Sequence, residues 1–589
     1  MTRSRTDRLA RLTRGARRVP GVRLARDYRR RWLRRDVFAG IVLTTLLVPQ
    51  GMAYAELAGL PPVTGLYTTV LALLAYAAFG PSRILVLGPD SALGPLIAAA
   101  ILPLVGADGD PARAVALAGM LAVLVGALCI AAGLARLGLL AELLSKPVRI
   151  GFLNGIAVVV LVGQLPKLFG FGTDATGLLD ELEAFIRGVV DGETVPAALL
   201  IGIVSLAVII GFRAWSPKVP GILIAVVGAS IATGALSLTE HGVLVVGAIP
   251  GGFPTPTIPS VSFDDIAALV VAAAGLAFVT LTDTVTFSRV FAGQRGESVD
   301  ANQEIVALGV ANIAAGCFQG FPVSASASRT ALADSTGSRT QLTGVVGATA
   351  IVVILVADGG LARNLPQAAL AAIIIAAAIQ LFDLGSLRWL WRVRRSELFL
   401  SVAALLGVAV LGVLQGIVVA IVLSLANFVR RAWRPYDAVL GRIPDRKGYH
   451  DIDRHPDAAQ IPGLVLYRFD APLFFANAEL FTRRVTDAVR ARDDPTRWVI
   501  VAAEPMTDVD TTAAEILERL LDDLDARKVE LAFAELKGPV KDRLRGYGLY
   551  DRIGDGHFYP TLGTAIDGYL AATGTEWVDW SDQDDDTQR

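Results

Sequence analysis

From Asp36 to about Arg434 the sequence returns repeatedly to apolar runs long enough to cross hydrocarbon, which takes about 20 apolar residues per helix. No water is available inside a bilayer, so the backbone of each run must satisfy its own N–H and C=O groups, and runs of this length do so as helices. Segmentation gives approximately fourteen spans, several of them short. Hydrophobic residues make up 53% of the 589, more than a soluble multidomain protein carries, and the chain reads as an α-helical polytopic membrane protein.

Interruptions in these runs carry the functional information. The first span, Asp36–Leu57, contains Pro49-Gln50-Gly51-Met52-Ala53-Tyr54, and breakers at membrane depth line a cavity or a close helix contact. A second span runs from about Pro61 to Phe79. Then comes Gly80–Ser91, broken by Pro81 and Pro89, and the apolar run Ala92–Leu102, too short to cross alone. This pattern predicts an extended approach into the membrane followed by a half-helix. Spans near Arg113–Leu134, Pro147–Leu165, Val195–Ala214 and Val219–Leu236 complete a first half of seven, with Phe171–Gly192 and Pro250–Pro259 as polar or Pro/Gly-rich connections.

The second half opens with Asp264–Phe291, which holds Asp283 in an apolar setting, and continues through Asn302–Phe318. In the same third position it reaches Phe321–Ser335, FPVSASASRTALADS, again a proline-broken approach and a short polar segment. Residues as polar as Ser324, Ser326, Ser328, Arg329 and Thr330 are tolerated there only facing a cavity or another helix. Paired interrupted segments in two halves point to a midplane site at a repeat interface. Spans near Thr343–Ala357, Gln367–Leu381, Glu397–Leu411 and Gln415–Phe428 follow.

The net charge of −1 conceals an asymmetry: residues 1–35 are crowded with arginine, whereas Asp579–Asp586 are acidic. Basic flanks stay inside, which predicts a cytoplasmic N-terminus in a multi-pass protein of a cell inner membrane. The arginines abut a span and belong to no recognisable nucleic-acid module, so membrane lipid and not nucleic acid is their expected partner. Cys129 and Cys317 both fall in apolar segments, which excludes a disulfide framework or a cysteine metal site and leaves them as packing residues. The first apolar stretch lacks a cleavage-like ending and reads as a permanent span, not a signal peptide.

After Tyr436 the composition becomes that of a soluble α/β domain. Val465–Phe469, Trp498–Val501 and Val529–Phe533 read as strands, and Glu479–Arg490 and Thr511–Leu524 have helical spacing. The expected division is a basic cytoplasmic N-terminus at 1–35, a transmembrane domain at 36–434, a cytoplasmic α/β domain at 435–575 and a disordered acidic tail at 576–589. No catalytic triad, metal-ligand cluster or P-loop is present in this C-terminal domain, so a regulatory or assembly role is expected of it, and neither an enzyme nor a cofactor is expected of the chain.

These motifs together resemble the sulfate permease (SulP) family of anion transporters. Matching pieces are Pro49–Ala55, Ser82-Arg83 followed by Gly88-Pro89, Asp300–Glu304, Ala311-Asn312, Phe318–Pro322 and Ser328-Arg329-Thr330. The tail from about Pro462 resembles that family's STAS domain, including Asp508–Thr512 before a helix. The resemblance implies fourteen helices in two inverted seven-helix repeats, arranged as core and gate domains, with homodimers and an elevator-like movement of the core. It also implies third and tenth helices that begin near mid-membrane with facing N-termini, near Asp90–Leu93 and Val323–Ser326.

Two such helix ends would present free N–H groups and partial positive charge to an anion. Ser91, Ala325, Ser326 and Ser328 are therefore candidate substrate residues, although small residues also serve close helix packing. Arg329 can fork two hydrogen bonds onto an oxyanion, or pair with an intramembrane carboxylate. Gln50 and Tyr54 match first-helix pocket positions; a helix-packing amide and a core aromatic are the plainer readings. Asp283 is the candidate proton carrier, with Thr286 beside it. In members resembling sodium-driven bicarbonate transporters a threonine follows four residues after this aspartate, where this chain has Phe287. Asp90 is a third coupling candidate: it is protonated when loaded, pairs with Arg329 when empty, or merely caps the half-helix. Thr511 or Thr512 stands where related antagonist domains are phosphorylated, or serves as a helix N-cap. The leading function is sulfate:proton symport. Bicarbonate uptake with sodium and dicarboxylate uptake are the other transport readings, and an anion channel or a sensor signalling through the tail come from other classes.

Overall fold

The structure is a computed structural model describing residues 20–21, 26–106, 109–138, 145–173, 175, 177–216, 219–247, 252–253, 255–357, 363–443 and 446–577. Most of the arginine-rich N-terminus and nearly all of the acidic tail lie outside the described residues. Two compact units are present, Met1–Leu425 and Ala426–Arg589.

Among the described residues the membrane unit and its last helix contribute sixteen helices. The first half comprises α1 (Leu33–Leu57), α2 (Pro62–Phe79), α3 (Gly94–Val105), α4 (Pro111–Leu134), α5 (Lys146–Phe169), α6 (Leu178–Val190), α7 (Pro196–Trp215) and α8 (Gly221–Ala235). The second comprises α9 (Phe263–Gln294), α10 (Ala301–Gly316), α11 (Ala327–Ser335), α12 (Leu342–Ala357), α13 (Gln367–Leu381), α14 (Leu384–Val393), α15 (Arg395–Leu411) and α16 (Val413–Trp433). Amphipathic α6 and α14 are not spans, which leaves seven membrane helices in each half. Helix α6 occupies the stretch read from sequence as a mere connection. Its charged face, with Asp180, Glu181, Glu183 and Arg187, hid its helical period from a hydropathy reading.

Helices α1–α4 and α9–α12 form one packed group, in which α10 lies on α4 and α2, and α12 on α1. Helices α5, α7, α8, α13 and α15 form the other, with α5 on both α13 and α15. These are the core and gate of an inverted-repeat transporter fold. Small residues set the close contacts, as expected where lipid removes the hydrophobic drive between helices. A Cβ on Gly126 of α4 would stand 2.5 Å from the Gly309 carbonyl oxygen of α10, and one on Gly65 of α2 would collide with the Gly51 carbonyl of α1. Gly51 thus marks a close helix contact. Helix α1 continues through Pro49, which lines an apolar cavity of about 1110 Å3 between α1, α8 and α12. Cys129 and Cys317 are free thiols.

The C-terminal unit holds a six-stranded sheet, ordered β4-β3-β5-β6-β7-β8 and comprising β3 (Asp437–Arg442), β4 (Tyr449–Asp451), β5 (Leu464–Phe469), β6 (Trp498–Ala502), β7 (Glu530–Ala534) and β8 (Phe558–Tyr559). Strands β5 to β8 are parallel, and β3 is antiparallel to both of its neighbours. Alternation explains the two-sided burial. Val465, Tyr467, Val499, Val501, Leu531 and Phe533 face a core with α17 (Ala478–Arg490) and α18 (Thr511–Ala526), whereas Leu464, Leu466, Trp498, Ile500 and Ala532 face α21 (Leu562–Thr573). Two short helices, α19 (Gly538–Gly546) and α20 (Leu549–Ile553), complete the first core.

Candidate functional site

The two broken segments meet. Strand β1 (Leu87–Gly88), on the approach to α3, pairs antiparallel with β2 (Ser324–Ala325), on the approach to α11, in the register Leu87 to Ala325 and Gly88 to Ser324. Because the two strands run in opposite directions, the half-helices leave the crossing oppositely, each with its N-terminus at the crossing. Helices α3 and α11 have 12 and 9 residues, too few to span alone.

Extended backbone at this depth needs partners, and side chains from four helices supply them. Asn312 imitates a strand, accepting from Val323 N at 2.9 Å and donating to the Val323 carbonyl at 3.3 Å. Thr68 Oγ1 accepts from Phe321 N, Thr330 Oγ1 from Val86 N and Thr284 Oγ1 from Ala325 N. Gln341 donates to the carbonyls of Ser82 and Leu85. In contrast, neither half-helix has a side-chain cap on its N-cap residue, Leu93 for α3 and Ser326 for α11.

Arg329 lies in the first turn of α11 and is 1% exposed. One Nη donates across the crossing to the Pro89 carbonyl, while Nε and the other Nη are buried without a partner among the described residues, as is the hydroxyl of Ser324. Unmet buried donors on a guanidinium are costly, and an acceptor with two oxygens satisfies them.

Around Arg329 the structure gathers most of the residues expected from the sequence. Tyr54 is buried beside Ser91, within electrostatic reach of Asp90 and Arg329. Ser326 Oγ lies 3.2 Å from Ser328 Oγ, and Gln50 is buried on α1 with no hydrogen bond among the described residues. Asp90 turns its carboxylate onto Ala92 N at 3.0 Å and makes no ion pair with Arg329. Of the three readings of Asp90, this geometry matches the one in which its carboxylate bonds the backbone at the approach to α3.

Asp283 on α9 faces Arg149 of α5 at 3.9 Å, so an ion pair links a core helix to a gate helix. Arg149 was missed in the sequence, where it reads as one more basic residue at the start of a span; only its place opposite an intramembrane acid distinguishes it. A second pair of the same kind joins Lys167, in the last turn of α5, to Glu56 of α1 at 3.6 Å. Thr286 shares a face with Asp283, but its hydroxyl donates to the Thr282 carbonyl at 2.6 Å. In the C-terminal unit the N-cap of α18 is Asp510, which accepts from Ala513 N at 2.7 Å. That corrects the N-cap reading of Thr511 and Thr512, which occupy the exposed first turn.

The sequence matches the sulfate permease family over residues 33–404 and the STAS domain over residues 455–565. A protein of Mycobacterium tuberculosis named a probable sulfate transporter is 43% identical over 551 residues, covering 94% of this chain and 98% of that one. Sulfate transporter 4.1 of Arabidopsis thaliana is 31% identical, covering 93% and 82%. Among solved structures, SLC26A9 aligns with TM-score 0.87 at 21% identity, covering 98% of this chain and 95% of that chain. The transmembrane domain of the cyanobacterial bicarbonate transporter BicA aligns with TM-score 0.58 at 24% identity, covering 67% and 98%. The chain belongs to the sulfate permease family, whose members are transporters and not enzymes, and carries a STAS domain after its membrane unit.

Proposed function

We propose that this protein carries sulfate into the cell together with a proton, by movement of the core group of helices against the gate. The observation that carries the reading is Arg329, buried at the crossing of two half-helices without side-chain caps, with two donor nitrogens unmet. Gln50, Tyr54, Ser91, Ala325, Ser326 and Ser328 are the remaining substrate residues, supplying backbone N–H groups, hydroxyls and an aromatic wall. The names of the mycobacterial and plant relatives favour sulfate among oxyanions.

Asp283 is the proton carrier in this scheme. With Phe287 where a threonine would stand four residues on, this face of α9 has one side-chain oxygen fewer for sodium, which favours a proton over sodium. Asp90 holds the turn that leads into α3 and does not act as a coupling group. Homodimers in an inner membrane, with the N-terminus and the 435–575 domain on the cytoplasmic side, complete the proposal, and Thr511 and Thr512 are exposed enough for phosphorylation.

Proteoliposomes test it. A symporter accumulates labelled sulfate when a proton gradient is imposed, whereas a channel follows only the anion's own gradient. Asp283→Asn is expected to abolish gradient-driven accumulation, and full accumulation by that variant overturns the proton-carrier role. Competition by bicarbonate, oxalate or fumarate stronger than by sulfate overturns the substrate.

A further inference from the structure

At one end of the core group five arginines line a cavity of about 630 Å3 together with Trp32 and Glu297. They come from four separate places: Arg31 and Arg35 from the start of α1, Arg83 from the approach after α2, Arg295 from the end of α9 and Arg339 from the turn before α12. Two of the five are matched by acids. Arg295 pairs with Asp334, and Arg83 lies 3.6 Å from Glu297. Arg31, Arg35 and Arg339 have no ion-pair partner among the described residues.

The nearest carboxylate on α1 makes no ion pair with them among the described residues. Asp36 is fully buried and accepts from Arg339 N, Thr340 N, Thr340 Oγ1, Thr343 Oγ1 and the Tyr28 hydroxyl. It anchors the turn that carries Arg339, and its oxygens are occupied by these donors. Three positive charges are thereby held together on a fixed frame, with self-repulsion that an anion would relieve.

We propose that this cavity seats the phosphate headgroup of an anionic phospholipid. Its depth in the protein identifies the ligand. Trp32 and Arg31 directly precede α1, Arg295 directly follows α9, Arg83 stands four residues beyond α2 and Arg339 three residues before α12, so the arginines ring the level where apolar spans end. Phosphates of a bilayer lie at that level, beside interfacial tryptophan. Guanidinium groups take phosphate oxygens in a two-pronged geometry, and a cavity of this size admits a whole headgroup. A lipid held there would tie α1, α9 and α12 together within the core group.

The test uses the full chain in nanodiscs of phosphatidylcholine alone or mixed with phosphatidylglycerol, reading thermal unfolding and the phosphatidylglycerol retained in native mass spectrometry. Phosphatidylglycerol is expected to raise Tm of the wild type. Arg31→Gln/Arg339→Gln is expected to lose most of that rise and to retain the lipid roughly 25-fold more weakly, about fivefold per arginine. Arg34→Gln removes the same charge from the same segment but outside the cavity, and is expected to keep the rise. An unchanged Tm in phosphatidylcholine alone shows that each variant folds; if the double variant fails this check, Arg31→Gln replaces it, with an expected loss of about fivefold. Three results overturn the proposal: no rise in the wild type, equal losses from Arg34→Gln and the cavity variant, or an equal rise from inorganic phosphate in phosphatidylcholine discs, which would make the occupant a free anion.

Discussion

Arg329 combines a residue type that stands out in the sequence with a geometry that does not. A lone arginine among serines in an apolar setting announces a cavity or a partner, but which of the two depends on where Asp90 and Asp283 point. Asp90 accepts from Ala92 N and Asp283 faces Arg149, and no carboxylate among the described residues lies within ion-pair distance of Arg329. Arg329→Ala is expected to weaken sulfate binding by the loss of a charged hydrogen-bond partner, about 1.5–3 kcal/mol, or roughly 10- to 150-fold in Kd. Arg329→Lys is expected to restore little, because an ammonium cannot reproduce the fork that reaches Pro89 and an anion together. Equilibrium binding of labelled sulfate to purified variants checks both, and unchanged affinity removes Arg329 from the site. Arg149→Gln is expected to alter the pH dependence of uptake, since Asp283 would lose its counter-charge, while equilibrium sulfate affinity stays near wild type. An unchanged pH profile would make the pair purely structural.

At the scale of elements, both half-helices were legible as short apolar or polar runs behind proline-broken approaches. Their starts came out within a few residues of the expected positions, α3 at Gly94 and α11 at Ala327. The β1–β2 pairing between them was not legible, because two-residue strands have no period to read. Helix α6 escaped for a related reason: its period lies on a surface face, and the sequence was searched for length and apolarity. The seam between α4 and α10 yields a sharper test. Gly126→Leu drives a side chain into the Gly309 backbone, and overpacking of this kind costs about 1–3 kcal/mol. Thermal unfolding in detergent is expected to show a marked fall for Gly126→Leu and little change for Gly211→Leu, whose Cβ meets nothing within 4 Å. Equal effects would mean that the seam is not close-packed.

For the whole molecule, removing everything after Tyr436 is expected to leave an inserted, folded membrane unit with an altered transport rate. Size-exclusion chromatography and uptake in proteoliposomes read the two halves of that expectation, and an unchanged rate would leave the STAS domain without a regulatory part. By itself the sequence determined the membrane class, the two halves of seven spans, the matched third segments and the change to a soluble α/β fold. Those properties are local, set by apolar length, period and breakers along the chain. Only tertiary structure decided which groups satisfy which. Val86 finds Thr330 across 244 residues, Gln341 reaches Ser82 across 259, Asp36 is claimed by the turn at Arg339 and Thr340, and Asp283 meets Arg149. A buried polar group takes the nearest suitable partner in space, and spatial proximity between distant segments is fixed by helix packing, which no single stretch of sequence encodes.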